Sequence, residues 1–264
     1  MLAECILDKQ SVRNSFGSAS QSYDAMAALQ RMVGRDLLSN EKQGSLLGTV
    51  LDIGCGTGFL TNELVTLSGY QQLIALDLAL PMVQTTRTKL ANIKELLYIC
   101  ADAENLPLQL NSVDTIFSNV ALQWCQNLES VFSDIKRILK PEGRLVFSTF
   151  GSKTLQELKS AWATVDDFSH VNEFYNADEI AQFLKTSGYQ DIQISEKIYT
   201  QKYDSVMALM RELKGIGAHN VTAGRNHSMT GKSKMQAMIN HYETLAKQGL
   251  IPATFEIIKV SAKI

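Results

Sequence analysis

Beyond residue 48 the chain alternates two patterns. Short, almost wholly apolar runs at 49–53, 72–76, 96–100, 113–118 and 144–150 have strand length, and stretches with helical apolar spacing separate several of them. One helix spans 58–67, one begins near Pro81, and one covers 128–139 before Lys140-Pro141-Glu142-Gly143 stops it. Runs apolar on both faces and divided by helices predict a parallel sheet covered on both sides. Past residue 150 the rhythm changes. Helices are predicted at 155–165 and 177–186, and a more exposed strand at 191–200. A helix-rich piece follows at 205–247, broken by the glycine-bearing stretch 215–231, and the last strand is at 254–262. Ahead of all this, Ala25, Ala28, Leu29, Met32 and Val33 predict one amphipathic helix over 22–38. The sum is an α/β domain with a seven-stranded, mostly parallel sheet. It divides into a helical cap (1–45), a nucleotide-type core (46–150), a lid region (151–203), a helical substrate-side insertion (204–250) and a closing strand (251–264).

Composition narrows the class only a little. With 264 residues, 45% hydrophobic, the chain is long enough for one large domain with a substantial core. A net charge of -2 gives no global reason to expect nucleic acid or a membrane surface. No apolar stretch nears the roughly 20 residues of a membrane span, and residues 1–10 carry Glu4 and Asp8 rather than a signal-peptide pattern. Cys5, Cys55, Cys100 and Cys125 are too scattered for a zinc site or a disulfide framework. A cytoplasmic protein is expected.

The chemistry concentrates at the end of the first strand. Asp52-Ile53-Gly54-Cys55-Gly56-Thr57-Gly58 is a strand-to-helix turn with glycines at alternate positions, which lets a ligand approach the backbone closely. Asp77 ends the next strand, 25 positions on, where an acid can accept hydrogen bonds from both hydroxyls of a ribose. A dinucleotide fingerprint would need a third glycine at position 59, which is Phe59, and Asp52 would repel a pyrophosphate. The acid suits a cationic ligand instead, such as the ammonium and sulfonium of S-adenosylmethionine. A tight turn with no ligand is the plainer alternative. Asp102 and Ala103 follow the third strand, where a carboxylate could accept an adenine amino group and a backbone N–H could face the ring. Asn119 follows the fourth strand, and Leu78 and Met82 flank Asp77 as apolar walls.

These motifs, with Arg137-Ile138-Leu139-Lys140-Pro141-Glu142-Gly143, resemble the class I S-adenosylmethionine-dependent methyltransferases. Finer stretches narrow the likeness. Ser118-Asn119-Val120-Ala121-Leu122-Gln123-Trp124-Cys125 resembles small-carboxylate methyltransferases. His170-Val171-Asn172-Glu173-Phe174, Met210-Arg211-Glu212-Leu213-Lys214-Gly215-Ile216-Gly217-Ala218, Gly224-Arg225, Met229-Thr230-Gly231-Lys232 and the N-terminal segment from Phe16 to Asp24 resemble the malonyl-acyl-carrier-protein O-methyltransferases of biotin synthesis. The resemblance runs from Val12 to Ile258, with Phe255 where tyrosine is expected. It implies methylation of the free carboxylate of a malonyl thioester on acyl carrier protein, with malonyl-coenzyme A as a further acceptor to consider.

A malonyl carboxylate is ionised at neutral pH, so alignment and dehydration suffice and neither general base nor metal is expected. Tyr23, Gln123 and Trp124 are candidates for the pocket wall. Arg211 and Lys214, three apart on a predicted helix, are candidate cations for the carboxylate, against the plainer reading of a solvated basic face. His170 and His219 are candidate hydrogen-bonding groups or mere loop caps. Eight basic residues against three acidic between Lys197 and Lys247 mark where an acidic carrier would dock. Two other readings stay open: a carboxyl methyltransferase of the trans-aconitate type, and a methyltransferase-like module that binds a partner without catalysis.

Overall fold

The computed structural model describes residues 7–218, 231–246 and 248–264. His219, Gly224-Arg225, Met229-Thr230 and Lys247 lie outside the described residues, as does Cys5. Seven strands form one sheet: β1 (Thr49–Ile53), β2 (Gln72–Asp77), β3 (Leu96–Cys100), β4 (Val113–Asn119), β5 (Leu139–Phe150), β6 (Gln190–Tyr203) and β7 (Ile251–Lys263). Their order is β3-β2-β1-β4-β5-β7-β6. The first five are parallel, and β7 runs antiparallel between β5 and β6. Strand order reverses at β1, so a crevice opens where the carboxyl ends of β1 and β4 diverge.

The apolar runs are two-faced because each strand feeds two cores. In β1, Leu51 and Ile53 join Ile116, Leu145 and Phe147 on one face, whereas Val50 joins Leu73, Phe117 and Val146 on the other. On the first face α6 (Leu128–Ile138) supplies Val131, Phe132 and Ile135, and α8 (Ala177–Thr186) adds Ile180 and Leu184. A capping box at Asn176 and Glu179 starts α8. On the second face α4 (Phe59–Leu67) buries Leu60 and Leu64. A third core joins α7 (Gln156–Ala163), α9 (Val206–Gly215) and α10 (Lys232–Glu243) to β6 and β7. Phe255, where tyrosine was expected, is buried there and packs against Phe150 with ring centroids 6.0 Å apart.

The N-terminal region departs from expectation. The helix expected over 22–38 is two helices, α2 (Tyr23–Met26) and α3 (Ala28–Leu37), and a further helix, α1 (Lys9–Ala19), precedes them. The break falls at Ala27, φ -88° and ψ 39°. In the short helix before it, Asp24 accepts from Thr57 Oγ1 at 2.6 Å and pairs with Lys89 near the glycine loop. Between β2 and β3 lies α5 (Leu80–Lys89), with Pro81 in its first turn.

Candidate active site

The crevice is a cavity of about 660 Å³, counting the open space at its mouth. Gly54, Gly56, Asp77, Leu78, Met82, Asp102, Ala103, Asn119, Tyr23 and Trp124, all expected from the sequence, line it. The glycine loop contributes proximity rather than donors. The N–H groups of Gly54 and Cys55 both donate to Leu76 O, at 2.7 and 2.9 Å, so the loop is stitched to β2. Gly54 sits at φ 74°, and a Cβ there would fall 2.2 Å from Ala121 Cβ, which is why the backbone can form the cavity wall at that point. Gly58 does not line the cavity; it opens α4. Opposite, Val120 turns the chain out of β4 with φ 48°, a costly conformation for a β-branched residue, and so also reaches the cavity.

Two acids lie under this loop. Asp77 accepts from Gly56 N–H at 2.9 Å and Ala79 N–H at 2.8 Å, which fixes its carboxylate at the cavity edge with lone pairs to spare. Burial raises its pKa, and those backbone donors act against the rise. Asp52 is one step deeper, 1% exposed, and is not part of the cavity wall. Thr61 Oγ1 donates to Oδ2 at 2.6 Å, whereas Oδ1 is buried without a partner among the described residues. Burial foremost, then the neighbouring Asp77, lifts its carboxyl to about 7 against the Thr61 bond. One acid at the cavity edge and another buried beneath it make the crevice a place that a positive charge would stabilise and a pyrophosphate would not. The residues present thus fit S-adenosylmethionine: Asp77 would hold ribose hydroxyls, Asp52 would offset positive charge from below, and Asp102 and Ala103 would meet the base.

A helical cap was expected over 1–45, but its first helix, α1, was not, and that helix helps roof the crevice. Lys9, Val12 and Phe16 of α1 line the cavity, together with Ala121, Leu122 and Cys125 from the loop after β4. Phe16 meets Trp124 edge-to-face at 5.2 Å, so Trp124 is part of the roof. Asn119 is braced on both sides: its Nδ2 donates to Gln30 O, and its Oδ1 accepts from Ser148 Oγ, both at 2.9 Å. Gln123 does not line the cavity. It donates to Val120 O at 2.7 Å and accepts from Thr149 Oγ1 at 3.3 Å, so it holds the turn that presents Val120.

Arg211 and Lys214 are exposed on α9 and do not line the cavity. The segment around them has a different, structural logic. Ser22 Oγ donates to Gly215 O at 2.9 Å, and a Cβ on Gly215 would fall 1.8 Å from Met26 Sδ. Gly217 lies against Ser15 O of α1. The end of α9 is therefore the seat of the helical roof. His170 stacks on Trp162 at 3.8 Å and meets Asp166 at 2.7 Å; Lys234 of α10 binds the same carboxylate. That network joins α10 to α7 away from the cavity. His170 and Lys234 hold Asp166 down at about 2.

A strand–glycine-turn–helix crossover with an acid ending the next strand, on this seven-stranded order, defines a class I S-adenosylmethionine-dependent methyltransferase. A family profile described as Methyltransferase domain matches residues 51–147. The fold is shared with the YcgJ protein from Bacillus subtilis, at a TM-score of 0.62 and 17% identity, over 88% of this chain and 97% of that one. The chain is 38% identical to the malonyl-[acyl-carrier protein] O-methyltransferase of Gallionella capsiferriformans over 97% of its own length and 90% of that protein's. It is 40% identical to the biotin biosynthesis bifunctional protein BioHC of Saccharophagus degradans, over 95% of this chain and 46% of that longer one. The chain belongs to the malonyl-[acyl-carrier protein] O-methyltransferase family.

Proposed function

We propose that this protein methylates the free carboxylate of a malonyl thioester carried on acyl carrier protein, giving the methyl ester that enters biotin synthesis. The observation that carries this is likeness to that family along nearly the whole chain, the α9 segment included. Bound S-adenosylmethionine supplies an electrophilic methyl group on a sulfonium. The chain's own contribution is to place the acceptor and keep water out, since an ionised carboxylate needs no proton removed. The lining groups agree with that. Cys125 is pushed up to about 12 by burial, burial likewise raises Tyr23, and Asp77 is pinned by two backbone donors. Phe16, Tyr23, Val120 and Trp124 give the acceptor an apolar approach.

The carrier would dock on the exposed cations of α9 and its surroundings. Lys197 and Lys234 are engaged with Asp36 and Asp166, whereas Lys202, Arg211, Lys214 and Lys232 are exposed and available to an acidic partner. Labelled methyl transfer to malonyl-acyl carrier protein, malonyl-coenzyme A and trans-aconitate, run side by side, tests the reading. Transfer to either malonyl thioester and not to aconitate is expected, fastest on the carrier. Transfer to aconitate alone overturns it.

A further inference from the structure

Lys9 breaks a local rule. It is the first residue of α1, where the helix dipole disfavours a cation, behind an Asp8 cap that accepts from Gln10 N–H and Ser11 N–H. A cation so placed needs a compensating partner, and Lys9 has two. Its Nζ lies 2.8 Å from Asp102 Oδ1 and 3.0 Å from Glu104 Oε1, three half-buried side chains meeting at one end of the crevice. It is also the one cation lining the cavity among the described residues. Burial opposes its charge. Cys125 is neutral at ordinary pH, so the two carboxylates are what hold the ammonium protonated. The same corner is tied a second time: Gln126 donates through its side chain to Leu7 O and through its backbone N–H to Glu104 Oε1.

The geometry of Asp102 gives this cluster a purpose. Lys9 Nζ and Glu104 N–H both bond to Oδ1. Both described partners thus occupy one oxygen, which leaves Oδ2 to accept from a ligand in the cavity. Without Lys9, Asp102 and Glu104 would be two like charges two residues apart, free to turn outward to water.

We infer that Lys9 is a positioning residue: it fixes Asp102 as the hydrogen-bond acceptor for a purine amino group and, by the same ion pairs, shuts α1 over the crevice. Base selectivity and roof closure are then one interaction. This rests on S-adenosylmethionine as the ligand.

The test uses Lys9→Met, which keeps the stem, and Lys9→Arg, which keeps the charge. Binding of S-adenosylhomocysteine and of its hypoxanthine counterpart, with an oxo group in place of the 6-amino group, is measured calorimetrically. Amide exchange over residues 9–19 is followed in the ligand-free protein. The parent is expected to prefer the amino base by about tenfold or more. Lys9→Met should lose most of that preference and exchange faster in α1, and Lys9→Arg should restore both. If Lys9→Met exchanges faster yet discriminates fully, Lys9 is a tether alone and the inference falls. It falls equally if the parent does not distinguish the two bases while binding both. Failure of the parent to bind S-adenosylhomocysteine at all would instead sink the cofactor reading. Glu104→Gln, which weakens the cluster from the loop side by removing one of the two charges on Lys9, is expected to shift both readouts the same way; leaving both unchanged would count against the cluster.

Discussion

Asp52 is expected to make ligand binding proton-linked. Its carboxyl lies near 7 in the folded protein against 3.8 for an unperturbed group, because burial and Asp77 disfavour the anion more than Thr61 favours it. Between about pH 4 and 7 the folded chain therefore holds a proton that the unfolded chain has lost. Stability associated with this group is full below 3.8 and is lost as pH rises towards 7, amounting to about 4 kcal/mol. A positively charged ligand in the crevice above Asp52 reverses the balance, since its field favours the carboxylate. Its binding expels the proton. Affinity should rise with pH up to about 7, by as much as about tenfold per pH unit at its steepest, and then level off.

The assay is calorimetric titration with S-adenosylhomocysteine, which keeps the ammonium and cannot react. Runs between pH 5.5 and 8.5 in buffers of different ionisation enthalpy give the protons released. Release should approach one proton near pH 6 and vanish at 8.5. Asp52→Asn keeps an acceptor for Thr61, removes the titration, and should melt higher than the parent at pH 8 without ligand. No proton release in the parent would refute the argument from burial. Undiminished release in Asp52→Asn would move the titration to Asp77.

Three other outcomes follow from particular contacts. Gly54→Ala must adopt φ 74° and place a methyl 2.2 Å from Ala121 Cβ; the backbone alone costs about 1–2 kcal/mol, so the melting temperature should fall several degrees and S-adenosylhomocysteine binding should be lost. Gly215→Ala drives into Met26 Sδ, a side chain that can be shortened, so Gly215→Ala should weaken cofactor binding through the roof and Met26→Ala in the same chain should restore it. Charge reversal at Arg211 and Lys214 should raise KM for malonyl-acyl carrier protein at low salt and leave the cofactor Kd unchanged, both measurable on one preparation.

The division between what the chain announces and what it conceals follows interaction range. The sheet is legible because each strand is apolar on both faces and each boundary carries its own signal, such as Pro81 in α5 or the Asn176 box of α8. The glycine turn, Asp77, Asp102 and Asn119 are legible because they sit at strand ends, where residue number fixes position in space. The helix α1 was not. Its sequence, Lys9 to Ala19, is rich in serine with one glycine, weak helix formers. It is held by contacts with Trp124, Asp102 and Glu104, 93 to 108 positions away. The same holds for the break at Ala27, which follows an Asp24 bonded to Thr57, 33 positions away.

The α9 segment shows how one motif can serve two edges of a helix. Arg211, Lys214, Gly215 and Gly217 lie within seven residues, and spacing alone invites a role for the cations at the reacting carboxylate. The contacts separate them. The glycines face inward, each at a point of close approach to α1 or α2, and the cations face out. One helix thus has an inner edge that sets the roof over the cofactor and an outer edge free for a charged partner. A carrier bound to that outer edge would press on the element that holds the roof.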